Sequence, residues 1–215
     1  MKNCLIVIIA TLSILTSCNG GDPIPPYTYN TNPQYTWGYQ EFYGPYYAQF
    51  GVLNNTISLS LFSDSLQLTS VNNELKLAGI GQYLFLEDVF VSPSDTILKT
   101  GKYIISNDEN AVPFSVYAGK NDTIDSEVYP IGAYIYYIEE NTTKSKMKLI
   151  SSGSFTVKRY LDGHYTIVCD FVTSDSLKLK GQFDTFLDYA NQSVKPKSTL
   201  SPTRKRKLFS FFGIM

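Results

Sequence analysis

Residues 153–172, GSFTVKRYLDGHYTIVCDFV, decide the fold. Apolar and polar residues alternate on both sides of Asp162-Gly163, with Phe155 and Val157 before the pair and Tyr165 and Ile167 after it. Asp-Gly between two alternating runs specifies a hairpin, because both residues tolerate the positive φ that a tight turn demands. The same alternation puts Cys169 on one face with Ile167 and Phe171. A thiol so placed is expected in the core, not at a reactive site.

Outward from this hairpin the period stays at two. Strands are expected over 56–62, 64–70, 73–78, 80–91, 101–106, 112–118, 131–139, 146–150, 153–160, 164–172 and 176–184. In 131–139, Tyr134 and Tyr136 share one face and Ile135 and Tyr137 the other, so that strand is expected to be central. Asn72-Asn73 suggests a second turn, and 183–192 (FDTFLDYANQ) a short helical turn. Many strands without a helix to cover a face require two packed sheets or a closed barrel. The expectation is an all-β fold, an antiparallel β-sandwich or flattened β-barrel of about ten strands.

The ends of the chain read differently. Lys2, the apolar run LIVIIATLSIL (5–15) and the small residues before Cys18 have the order of a secretory signal, and the run is too short to anchor in a bilayer. The tetrapeptide Leu15-Thr16-Ser17-Cys18 resembles the bacterial lipobox, which implies cleavage before Cys18 and acylation of its thiol, with palmitate among the expected acyl groups. The division that follows is a signal peptide over 1–17, a Gly/Pro/Asn-rich flexible tether over 18–36, one β domain over 37–190, and a tail over 191–215. Cys4 leaves with the signal and Cys18 is blocked, so Cys169 stands alone and no disulfide framework forms. The mature polypeptide is placed outside the cytosol, bound through its lipid to a membrane, the outer one by preference.

Charge separates along the chain. Residues 18–194 hold 11 basic and 19 acidic side chains, a balance of −8, whereas the stretch from Lys195 onward holds six basic residues and no acids. An acidic body excludes nucleic acid as a partner, since that affinity rests on neutralising phosphates. The tail TRKRKLFSFFGIM (203–215) joins four consecutive cations to Phe, Leu, Ile and Met, which suggests a second, interfacial membrane contact.

Nothing reads as a catalytic constellation, so the protein is expected not to be an enzyme. The one histidine, His164, follows the hairpin turn and is expected to face solvent. One His and one core Cys build neither a zinc site nor a nucleophile–base couple. No cofactor and no metal is expected; the acidic loops 108–110 and 122–125 read as solvated. The unusual stretch is 27–50, with ten aromatic residues. Tyr and Trp combine an apolar face with a polar edge, which suits sugar stacking and protein contact alike. Trp37, Tyr39, Tyr43, Tyr46 and Tyr47 are therefore the candidate ligand-binding residues, unless alternate rings of this stretch simply fill the core.

Several segments taken together carry a family resemblance. Phe42-Tyr43-Gly44 precedes the alternating ISLSLF, Leu98-Lys99-Thr100-Gly101-Lys102-Tyr103 opens a strand, and Ile150 to Val157 and Gly163 to Ile167 lead to Lys180-Gly181-Gln182-Phe183. Over roughly residues 40–187 this order resembles the small all-β cell-surface lipoproteins of gut Bacteroidota. The resemblance implies fold and location but no functional residues. Asp-(Ser/Thr)-aliphatic tripeptides, at Asp64-Ser65-Leu66, Asp95-Thr96-Ile97, Asp122-Thr123-Ile124 and Asp175-Ser176-Leu177, resemble the O-glycosylation acceptor of that phylum. That likeness implies glycans on Ser65, Thr96, Thr123 and Ser176, although Asp-Ser and Asp-Thr also begin turns in any β protein. Three functions stay open: a surface binding module for glycan or protein, a structural or adhesive envelope component, and a hydrolase with unlocated carboxylates.

Overall fold

The computed structural model describes residues 29–63, 65–71, 74–107, 111–124, 126–138 and 146–193. The expected signal segment, Cys18, residues 19–28, the expected turn at Asn72-Asn73, residues 108–110 and the chain from 194 onward lie outside the described residues. Within them the structure is all-β. The strands are β1 (Gln34–Gly44), β2 (Asn55–Ser63), β3 (Gln67–Val71), β4 (Glu74–Ala78), β5 (Gly81–Val91), β6 (Gly101–Ser106), β7 (Ser115–Tyr117), β8 (Lys120–Ile124), β9 (Glu127–Ile131), β10 (Ala133–Ile138), β11 (Lys146–Arg159), β12 (His164–Thr173), β13 (Lys178–Leu179), β14 (Gln182–Phe186) and β15 (Asp188–Asn191). One 3-10 turn covers Ala48–Phe50.

Eleven strands form one mixed sheet that closes on itself. Following hydrogen-bonded neighbours gives β1–β2–β5–β10–β11–β12–β14 and back to β1, with β6 and β7 filling the gap between β5 and β11 at one end. This is a barrel. The seam is short and parallel: Gln34 pairs with Gln182 and Tyr35 with Phe183. β15 continues it along β1, from Tyr39↔Asp188 to Phe42↔Asn191. Most pairings are antiparallel, as expected, and parallel ones occur at the seam and at β6–β7. A pairing between the two ends of the domain leaves no local signal. For the same reason 183–192 is strand and not a helical turn: Phe183 enters the core and the following residues line up on β1.

Inward-facing residues of these strands make one large core, including Ile57, Leu59, Leu61, Leu84, Leu86, Ile135, Phe155, Ile167, Cys169, Phe171 and Phe183. Tyr103 stacks on Phe155 at 4.7 Å, and Phe155 meets Phe171 edge-on at 6.2 Å. The loop 92–100 closes the β1-exit end of the barrel by burying Leu98. Inward-pointing Gln40 accepts from Leu98 N–H at 2.9 Å and donates to the Tyr165 hydroxyl at 3.2 Å. Asn55 Nδ2 holds the loop through the carbonyls of Pro93 and Asp95, both at 2.9 Å.

The hairpin of 153–172 forms with Arg159 opposite Tyr165. Of its two turn residues only Gly163 has positive φ (92°), and the turn is closed by Gly163 N–H on the Tyr160 carbonyl at 3.1 Å. Other segments shift. The 146–150 and 153–160 runs are one strand, the 112–118 run shortens to 115–117, and 176–184 divides into β13 and β14. The 131–139 run is cut at Gly132, whose φ of 78° ends β9 before β10 begins. β10 is central, between β5 and β11. Residues 29–36, read as tether, belong to the body: Lys180 N–H bonds the Thr31 carbonyl at 2.7 Å, Gln182 N–H bonds that of Pro33 at 3.0 Å, and β1 starts at Gln34. At the other terminus Asn191 is still paired, so the body extends one residue into the expected tail.

Candidate functional site: an outward aromatic layer

A filled barrel is apolar inside; this one is also apolar on part of its outside. β5 (GQYLFLEDVFV) is buried on both faces. Leu84 and Leu86 point in, while Tyr83 and Phe85 join a second cluster with Phe62, Leu66 and Tyr134. Register assembles that layer row by row. Trp37, Phe62, Tyr83 and Tyr136 are successive cross-strand neighbours on β1, β2, β5 and β10, and Tyr39, Ser60, Phe85 and Tyr134 form the next row. The first row is a continuous stack: Trp37–Phe62 at 3.9 Å and 6°, Phe62–Tyr83 at 5.3 Å and 22°, Tyr83–Tyr136 at 5.3 Å and 21°. Offset stacking of neighbouring rings is worth about 0.5–1.5 kcal/mol per pair beyond burial.

The β3–β4 hairpin lies over one end of this stack and pairs with no other strand. It is fastened by Leu66, which is fully buried, and by the Trp37 indole N–H, which donates to the Leu66 carbonyl at 2.7 Å. Trp37 therefore has one ring face on Phe62 and its N–H committed. It is a clasp for the hairpin more than a free platform.

The remaining sequence candidates separate from it. Tyr39 stays on the outer face beside Phe62 at 5.8 Å, with its hydroxyl bonded to Ser60. Tyr43 donates to Glu41 Oε2 at 3.3 Å and meets Tyr46 edge-on at 6.3 Å. Tyr46 meets Tyr47 at 5.1 Å. Tyr47 is buried against Phe90, and its hydroxyl donates to Asp88 Oδ2 at 2.7 Å, so it is a core residue and not an accessible contact. Burial, and then the Glu41 charge, push the Tyr43 phenol well above its ordinary range; burial does the same at Tyr39, Tyr83 and Tyr134. All four stay protonated donors.

Between Tyr39 and Tyr43 on the same face sits Glu41, half-buried. Its carboxylate accepts from Tyr43, from Ser58 Oγ at 3.2 Å and from Gln192 Nε2 at 3.2 Å, all neutral donors. The β5 bulge opposite Ser58 carries buried Glu87 and Asp88. Glu87 Oε2 accepts from Gly132 N–H at 2.8 Å while its own N–H bonds the Gly132 carbonyl at 3.0 Å, so it clamps the kink before β10. Among the described residues no group of three or more His, Cys, Asp or Glu is arranged to hold a metal ion. His164 is a hairpin brace, with Nε2 3.3 Å from Asp184 and its ring between Tyr160 and Phe186. Cys169 is buried among core side chains, and burial pushes its thiol far up.

Ser65, Thr96, Thr123 and Ser176 are all exposed, three of them in turns or bends and Thr123 on the β8–β9 hairpin. Tyr134 and Tyr136 share a face as the alternation required, whereas Phe62, Tyr83 and Phe85 are the members of the layer that the sequence did not single out. The signal for Tyr83 and Phe85 was the run of apolar residues on both faces of 81–86. No protein-family model, characterised protein or solved structure matches the chain.

Proposed function

We propose that the protein is a lipid-anchored, extracytoplasmic binding module, tethered through Cys18, that recognises a glycan or protein through the strip Tyr39–Glu41–Tyr43 with Tyr46. The observation that carries this reading is a strip of half-buried tyrosines around a carboxylate, Tyr39, Glu41, Tyr43 and Tyr46, on the outside of a barrel whose interior is already full. The rings beside it, Phe62, Tyr83, Phe85 and Tyr134, are buried as a second core, so the half-exposed strip is the part of this face that a partner can reach. Phenol edges with a carboxylate, a serine and a glutamine beside them supply hydrogen bonding in a setting able to exclude water. A strand-addition assembly is less well supported: the ring of pairings closes, and the free edges among the described residues, those of β13, β15 and the β3–β4 and β8–β9 hairpins, are two to five residues long. The test is a glycan-array and matrix-protein screen of the Cys18→Ser chain from residue 18 onward, repeated with Tyr39→Ala/Tyr43→Ala. The reading expects a hit that weakens at least about tenfold in the double variant; binding that is undiminished there overturns the site. Palmitate incorporation, abolished by Cys18→Ser in the full chain, tests the anchor.

The four exposed Asp-(Ser/Thr) sites support a second statement, that Ser65, Thr96, Thr123 and Ser176 carry O-glycans in the native host. An intact mass equal to that of the bare lipidated chain removes it.

A further inference from the structure

We infer that the basic segment 195–207 of this chain docks on the outer face around Glu41. The first ground is where the segment starts. β15 runs along β1 with Ala190 opposite Glu41 and Asn191 opposite Phe42, and Gln192 Nε2 touches the Glu41 carboxylate at 3.2 Å. Ser193 then sits beside Gly44: a Cβ on that glycine would lie 3.4 Å from the serine Cβ. The chain leaves the body within a few residues of the carboxylate. Lys195 and Lys197 follow at once, and Arg204-Lys205-Arg206-Lys207 come seven residues later.

The second ground is charge. Six basic residues and no acid occupy the chain from 195 onward. Glu41 meets no lysine or arginine at ion-pair distance among the described residues; its three partners are neutral. Tyr39, Tyr43 and Tyr46, half-buried beside Glu41, offer rings to a cationic side chain. At about 3.5 Å per residue, the 11 to 14 residues from Ser193 to the 204–207 cluster reach roughly 40–50 Å, ample to return across β1, β2 and β5. A tether this short holds the cations at an effective concentration on the order of millimolar.

The third ground is direction. The chain enters the body at Tyr29, beside Lys178 and the start of β1, and leaves it beside the end of β1. These points are about 26 Å apart along the strand. A segment leaving there starts beside the Glu41 face, at the end of β1 away from the point where the chain enters the body.

The tail would compete with any external ligand for the Glu41 strip, so its docking is tested in the ligand-free chain. Zero-length carbodiimide cross-linking of the full chain, with Cys18→Ser, joins a carboxylate to a lysine amine only when the two are in contact. Mapping by mass spectrometry should find Glu41 linked to Lys195, Lys197, Lys205 or Lys207. The yield should fall at least about tenfold in ~1 M salt, where the screening length is about 3 Å, while Glu41→Gln, whose amide a carbodiimide does not activate, serves only to verify the assignment of the link. Asp162→Asn, at the distant hairpin, should leave the yield unchanged. A 1:1 mixture of isotopically light and heavy chains separates contacts within a molecule from those between molecules. Links only between chains overturn the inference, as do tail links to Asp162 and Asp184 equal to those at Glu41, and so does a monomer without any Glu41 link.

Discussion

Trp37 should behave as the clasp of the β3–β4 hairpin, and replacing it should loosen that hairpin before it unfolds the barrel. Trp37→Phe keeps a ring on Phe62 and removes the 2.7 Å bond to the Leu66 carbonyl. The loss is that of one buried hydrogen bond, about 1 kcal/mol. Trp37→Ala also removes the stack and the buried part of the indole. A fully buried Trp→Ala change costs roughly 3–5 kcal/mol. The half-exposed ring should lose rather less, about 2–3 kcal/mol, which for a domain of this size lowers Tm by roughly 5–10 °C. The distribution of the loss matters more than its sum. β3 and β4 pair only with each other, and an isolated two-stranded hairpin is marginal in water. Native-state hydrogen exchange should therefore show amides of 67–71 and 74–78 losing protection in Trp37→Ala by a larger factor than those of β2 and β5. Uniform loss across all four strands, or an unchanged hairpin, would refute the clasp and make Trp37 an ordinary packing residue.

Gly163→Ala should cost roughly 1 kcal/mol in a urea melt, because its φ of 92° disfavours a side chain although no atom lies within 4 Å of the added Cβ. Gly132→Ala should cost several times more: its φ is 78° and the new Cβ would stand 2.4 Å from the Ala118 carbonyl oxygen. Burial raises the Tyr103 phenol from an ordinary value of 10.0 to about 12. In that window the unfolded chain has lost a proton that the folded one keeps, so stability is unaffected below pH 10 and falls as pH rises above it. Tyrosinate absorbance should accordingly lag in the native protein and jump together with the loss of β circular dichroism; full ionisation of an intact fold would contradict this. Cys169 should react with an aromatic disulfide reagent only at the rate of unfolding, and a fast native reaction would show the thiol to be accessible.

What the chain declared in advance was whatever its side chains encode locally. β2, β5, β6 and β12 sit where alternation placed them, and the Asp162-Gly163 turn joins β11 to β12. The β8–β9 hairpin escaped because KNDTI holds a single apolar residue and Pro130 interrupts EVYPI. The seam escaped for another reason: Gln34↔Gln182 is fixed by barrel closure and not by any neighbour in sequence. At the candidate site, composition pointed to 27–50 but not to the face each ring would take. Phe42 went inward and Tyr39 outward, as period two requires. Sequence could not foresee that β2, β5 and β10 would extend the outer row, since that depends on which strands become neighbours.

On the proposed reading of a binding module, the stacking geometry limits which ligands the outer face can take. In a ladder of nearly parallel rings 3.9 to 5.3 Å apart, each inner face is covered by the next ring, so Phe62 and Tyr83 turn only their edges away from the sheet. A sugar laid flat on an aromatic face needs that face free, and Phe62 and Tyr83, stacked on both sides, have none to give. The Tyr83 and Tyr134 phenols are themselves buried, which holds them protonated and out of a ligand's reach. Farther along β1 the pattern changes: Tyr43 and Tyr46 stand at 82° to one another, with Glu41 accepting between Tyr39 and Tyr43. Specific contact is therefore expected to come from hydrogen bonds and charge at Glu41 and the tyrosine hydroxyls. A ligand bearing donors or cations fits that strip better than a flat apolar one, and Glu41→Gln should weaken its binding more than Trp37→Phe does.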